Sequence, residues 1–172
     1  MKTKVITLIA IVLAFTSCRK YEEGGFYILS NMSKKIAGWY NFTHYYIDGV
    51  DSANYYFNND YTVQLDIGYD QQDNTRELTL KFWHNSNEIS KYFGYVGYWN
   101  WNKNSKKEIE LKFNDRIEYG SISNPLDTTI NNGPFSPNTK IVWDVLKLKK
   151  GELILETGYN NKHYRAELKK IE

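Results

Sequence analysis

The sequence predicts an all-β protein, an eight-stranded antiparallel up-and-down barrel, and three observations predict it. Apolar and polar residues alternate with period two, as in Tyr61, Val63, Leu65 and Ile67 against Thr62, Gln64 and Asp66, the mark of a strand buried on one face. Aromatic residues reach 16%, with 15 Tyr and 5 Trp, a composition that suits a pleated sheet better than a helix. Clusters rich in Asn, Asp and Gly separate the alternating stretches: Asp48-Gly49, Asn58-Asn59-Asp60, Asp70 to Asn74, Asn102-Lys103-Asn104 and Asn160-Asn161.

The first segment is read as a signal and not as part of the fold. Lys2 and Lys4 precede an apolar run from Val5 to Phe15 broken only by Thr7. At about 11 residues the run is shorter than the roughly 20 that a helix needs to span a bilayer. Residues 1–17 are therefore expected to be removed on export. Phe15-Thr16-Ser17-Cys18 places a bulky apolar residue and two small ones before a cysteine, which resembles the lipobox of bacterial lipoproteins. The resemblance implies that Cys18 is lipid-modified and becomes the first residue of the mature chain. It also implies that the protein meets the membrane through acyl chains, each buried methylene of which contributes about 0.8 kcal/mol. Cys18 is the only cysteine, so the mature chain forms no internal disulfide and packing alone must stabilise it.

Residues 18–35 read as a tether, polar at first and passing through Gly24-Gly25. Arg19-Lys20 followed by Glu22-Glu23 looks like the surface-export signal of Bacteroidetes lipoproteins; a generic charged linker is the alternative. The expected location is the outer membrane, lipid-anchored, facing the cell exterior or the periplasm. Within the tether Ser33 is a candidate cap and Gly38 a candidate stop for a short helical turn.

A single domain over residues 36–172 follows. Its eight expected strands are Trp39–Ile47, Tyr61–Gly68, Glu77–Trp83, Phe93–Trp101, Lys107–Phe113, Lys140–Leu148, Glu152–Glu156 and His163–Ile171. In the sixth, Ile141, Trp143 and Val145 share a face that Leu146 and Leu148 miss, so a β-bulge is expected at Val145-Leu146. Closing such a meander into a barrel removes its exposed edges. Trp39 is expected to close the barrel floor, and Trp83 and Trp143 to pack in the core. Asn114 to Asn138 exceeds the ~12–15 residues usual for a structureless loop and reads as a lid, with Ile117 to Ser123 alternatively extending the preceding strand.

Charge narrows the partners. Removing residues 1–17 takes Lys2 and Lys4 with it, so of the 22 basic residues all but those two face the 20 acidic ones and the mature chain is neutral. That balance argues against a nucleic-acid partner and against a polybasic membrane patch.

Several short segments together resemble the lipocalin-like lipoprotein family of the Bacteroidetes group. They are Ile36-Ala37-Gly38-Trp39, Asp48-Gly49-Val50-Asp51, Gly97-Tyr98-Trp99 followed by Lys106-Lys107-Glu108-Ile109, and Trp143 to Leu148 with Glu152-Leu153. One departure is that Gly38 and Trp39 are adjacent, whereas the lipocalin signature has a residue between them. The resemblance implies a small barrel with an open mouth. Asp51-Ser52-Ala53 and Asp127-Thr128-Thr129 look like acceptor sites for the O-glycosylation of that bacterial group.

The candidate ligand-binding residues are Tyr95, Trp99, Trp101 and Trp143. Alternation puts Phe93, Tyr95, Trp99 and Trp101 on one face, with Gly97 leaving a gap. Such a row stacks on a sugar, encloses an apolar ligand, or simply fills the barrel. No catalytic, metal or cofactor site is expected. His44, His84 and His163 lie far apart, Glu108 and Glu110 share a polar strand face beside Lys112, and Asp70 to Asn74 lacks calcium-loop spacing. Phosphate-loop and nucleophile-elbow motifs are absent from the sequence. Two non-enzymatic readings follow: a lipid-anchored binding protein for a small apolar or sugar ligand, or an interaction module, an accessory subunit of a surface complex with a filled barrel.

Overall fold

The computed structural model describes residues 29–53, 61–84, 92–102, 107–119, 133–149 and 151–171. The signal segment, Cys18, residues 18–28 of the tether and Asp127-Thr128-Thr129 lie outside them.

The described chain is all-β apart from one helix. Helix α1 (Leu29–Ile36) precedes β1 (Gly38–Ile47), β2 (Val50–Asp51), β3 (Tyr61–Ile67), β4 (Glu77–His84), β5 (Tyr92–Trp101), β6 (Glu108–Tyr119), β7 (Lys140–Lys149), β8 (Glu152–Tyr159) and β9 (Lys162–Lys170). All strand pairs are antiparallel, in the order β2-β1-β3-β4-β5-β6-β7-β8-β9. Pairing of β1 with β9, from Tyr40 opposite Lys170 to Ile47 opposite Tyr164, closes this sheet into a ring, with the short β2 appended to β1. The eight expected strands are those of the ring; the sequence reading missed β2, whose two residues carry no alternation.

Bulges keep the apolar faces pointed inward. The expected one occurs where β7 shifts register against β8 between Val145 and Lys147, leaving Leu146 unpaired and exposed. In β1, Tyr40 and Tyr45 are both buried although five positions apart, which a regular strand cannot achieve. The register shift between Phe42 and His44 reconciles them, and Thr43 Oγ1 donates to the Glu167 carbonyl there (3.0 Å). A third shift lies between Val96 and Gly97, opposite Asn114 of β6.

Gly97 is not the gap that alternation suggests. A Cβ at this position would lie 1.9 Å from the Lys112 carbonyl oxygen and 2.8 Å from Phe113 Cα, so the backbone of β6 occupies the space. Gly94 is pressed in the same way by the Leu80 carbonyl, 2.0 Å from its would-be Cβ. Both glycines permit close approach of neighbouring strands.

Trp39 does not close the floor. It is 52% exposed on the outer face, because Tyr40 takes the inward position of β1. Trp83 is also outside the core: Phe82 points inward, and Trp83 Nε1 donates to Gln64 Oε1 (2.6 Å) on the outer face. The Lys81 ammonium lies 5.4 Å from the Trp39 ring centre, 5.9 Å from that of Trp83 and 5.6 Å from that of Tyr92.

Helix α1 covers the floor instead, beginning before the expected turn. Met32, Ser33 and Ile36 are buried against the ring end. Ser33 is not its cap; it lies mid-helix and accepts from Trp101 Nε1 (3.2 Å). Gly38 follows the helix at φ +148°, a backbone conformation natural to glycine, and starts β1.

Candidate ligand site

The inward positions of β5 and β7 carry all four candidate residues, and the ring buries all four. They belong to two different ends. Trp99 and Trp101 lie at the α1 end, their rings edge to face at 6.2 Å. Trp99 Nε1 donates to the Gly68 carbonyl (2.8 Å), and Arg76 lies 5.7 Å from its ring centre. With Trp101 bound to Ser33, both indole N–H groups at this end have acceptors. Tyr40 adds a donor bond to the Ile36 carbonyl (2.9 Å), and Lys170 Nζ donates to the Ala37 carbonyl (2.7 Å). These are the contacts of a sealed floor.

At the opposite end, among the described residues, a side chain that sequence reading missed enters the interior from a loop. Residues 133–138 turn back on the ring, held by the bond from Asn138 N to the Phe113 carbonyl (2.7 Å) and a parallel bridge between Phe113 and Pro137. Ser136 Oγ donates to the Gly133 carbonyl (2.6 Å), and Asn138 adopts φ +62°. The segment directs Phe135 into the interior, where only 8% of it stays exposed. Its ring stacks on Trp143 at 5.0 Å and meets Phe42 at 5.7 Å, Tyr45 at 5.9 Å and Phe113 at 6.1 Å. Tyr95 approaches the same cluster through Phe113, at 6.5 Å. The one signal in the sequence is Gly133-Pro134-Phe135-Ser136-Pro137, an aromatic residue set between prolines in an otherwise polar loop.

Trp143 is fully buried beneath Phe135, and its Nε1–H has no hydrogen-bond partner among the described residues. Thr157, a buried polar residue of the paired strand β8, gives its hydroxyl to the Val142 carbonyl (2.8 Å). A buried donor without an acceptor costs about 1–3 kcal/mol, so this N–H is a polar feature of the Phe135 end suited to a ligand acceptor.

Among the described residues, ionisable groups do not gather at either end of the interior. On the outer face a 2.8 Å bond from His44 holds the Asp51 carboxyl below its usual range. Burial raises the Asp66 carboxyl, a shift that Lys81 opposes. Burial likewise pushes the Tyr40 phenol up to about 12 and raises that of Tyr164. Glu110 pairs with Lys140 (2.7 Å), Glu108 accepts from Asn102, and His163 meets Glu156 (3.2 Å). Among the described residues no group of three His, Cys, Asp or Glu is placed to hold a metal ion.

Comparison with protein-family models, curated proteins and solved structures finds no match. The functional reading therefore rests on the residues themselves.

Proposed function

We propose that the protein is a lipid-anchored envelope lipoprotein of the lipocalin-like Bacteroidetes type. In this reading its ring is a small up-and-down barrel that takes a small apolar ligand with one hydrogen-bond acceptor at the Phe135 end. The observation that carries the ligand reading is the Trp143 indole N–H, buried and unpartnered beneath a ring that sits on a loop segment. A ligand that displaces Phe135 inherits its stack on Trp143 and its contacts with Phe42, Tyr45 and Phe113. A carbonyl or hydroxyl on that ligand supplies the missing acceptor. The surroundings favour an apolar ligand over a sugar: among the described residues, the buried polar ones are Ser33, Ser136 and Thr157. A sugar needs many more partners than these for its hydroxyl groups.

The anchoring part rests on the lipobox-like Phe15-Thr16-Ser17-Cys18, and surface exposure on the basic-then-acidic tether after it. A Cys18→Ser chain is expected to lose its lipid and its membrane fractionation. Retention in the membrane fraction contradicts the anchor.

Two molecules of similar size test the ligand site. Acetophenone carries a carbonyl where ethylbenzene carries a methylene, so it is expected to bind about fivefold more tightly, the effect of one added hydrogen bond. Trp143→Phe is expected to abolish that preference. If neither molecule perturbs tryptophan fluorescence, the second reading gains: a non-enzymatic interaction module or accessory subunit of an outer-membrane complex. The filled α1 end, where both indole N–H groups have acceptors, favours that second reading.

A further inference from the structure

Neutrality of the mature chain conceals a local excess of positive charge. At the α1 end a groove of about 310 Å³ has Lys34, Lys35, Lys149 and Lys170 around a floor that includes Tyr40 and Leu148. Three elements supply the lysines: the last turn of α1, the end of β7 and the end of β9. None of the residues lining the groove is acidic. The charge balance that argues against a polybasic membrane patch is a property of the whole chain, whereas this clustering arises only when distant strands meet. Lys170 is fixed in place, with its ammonium on the Ala37 carbonyl and 5.8 Å from the Tyr40 ring centre.

The groove also lies where the N-terminal chain joins the fold. Helix α1 is the first described element, and the segment from Cys18 to Leu29 spans at most about 40 Å when fully extended. A lipid on Cys18 would thus hold this end of the ring close to a bilayer.

We infer that the lysine groove at the α1 end docks on the phosphate headgroups of anionic lipids. The ammonium groups of Lys34, Lys35 and Lys149 meet the phosphates beside the fixed Lys170, while the partly buried Leu148 offers apolar surface to the glycerol region below them. The direction of approach rests on the proposed anchor; the contact itself does not. Lysines near an anionic surface act nearly independently, each strengthening binding by about fivefold.

Residues 18–172 carrying Cys18→Ser contain every described element and lack the anchor, so their binding to vesicles reports the groove alone. Cosedimentation is expected with phosphatidylcholine vesicles that contain phosphatidylglycerol, and to be at least about tenfold weaker with phosphatidylcholine alone. Changing Lys34, Lys35 and Lys149 together to Gln is expected to weaken binding by about a hundredfold, with the circular dichroism spectrum unchanged. The same charge removal elsewhere, Lys81→Gln, Lys112→Gln and Lys162→Gln, is expected to weaken it by less than about threefold. Equal binding to both vesicles, or equal losses in the two triple variants, overturns the inference. So does complete displacement by millimolar glycerol phosphate, which would make the groove a site for free phosphate. The anchor is scored separately, by whether the wild-type chain carries lipid, so either idea can fail alone.

Discussion

At the α1 end both buried indole N–H groups, those of Trp99 and Trp101, have acceptors; at the Phe135 end the buried N–H of Trp143 has none among the described residues. The plugs differ as well. The floor is covered by a helix whose Met32, Ser33 and Ile36 pack into the ring, whereas at the other end the described plug is the Phe135 side chain on a short turn. A helix held by several side-chain bonds stays in place when the molecule moves. A ring on a turn leaves at the cost of its own contacts, which is why the proposed ligand site is put at the second end.

Core truncation should give the largest contrast. Trp99→Ala is expected to destabilise the protein by about 3–5 kcal/mol in urea unfolding, whereas Phe135→Ala costs about 2 kcal/mol or less because water and the turn can fill its place. Equal losses would break the comparison by making Phe135 as structural as Trp99.

Alkaline titration should separate the ends next. Tyr40, beneath α1, has a folded-state pKa of about 12 against 10.0 for the free side chain. A raised pKa means that the folded state holds its proton more tightly than the unfolded state. Its stabilisation is complete below pH 10 and is lost as pH rises toward 12, a fall on the order of 2 kcal/mol. Tyr40→Phe is expected to remove most of that fall, leaving the smaller part due to Tyr164 at the other end. An unchanged alkaline profile in Tyr40→Phe would show that the phenol is not sealed beneath the helix.

The finest contrast uses one substitution at both ends. Trp101→Phe and Trp143→Phe delete the same atoms, but the first strips Ser33 of its donor and the second removes an unsatisfied N–H. Trp143→Phe is expected to be the milder of the two by about 1 kcal/mol. The reverse order would mean that the Trp143 N–H contributes to folding after all.

The fold was legible where one residue type repeats a simple signal. Tyr61 to Ile67 shows its buried face by alternation alone, and the conflict between Val145 and Leu146 announces a bulge. Local pattern says nothing of which neighbour arrives across space. Trp39 is as apolar as Trp99 and yet faces outward, because the helix takes the floor that Trp39 was expected to fill. Gly97 looked like a gap and is instead where β6 presses closest. The site was half legible: Trp143 stands on an alternating strand, but its partner Phe135 comes from a loop without periodicity, and an unpartnered N–H is a property of packing that no sequence pattern encodes.

The most direct test of the Phe135 end as the ligand site is the indole ¹H–¹⁵N spectrum during titration with acetophenone, with the Trp143 signal assigned from its loss in Trp143→Phe. The Trp143 signal is expected to move saturably, toward the shift of a hydrogen-bonded indole, while those of Trp99 and Trp101 stay where they are. A Trp143 signal that remains still while the protein binds, or three signals that move together, would contradict it.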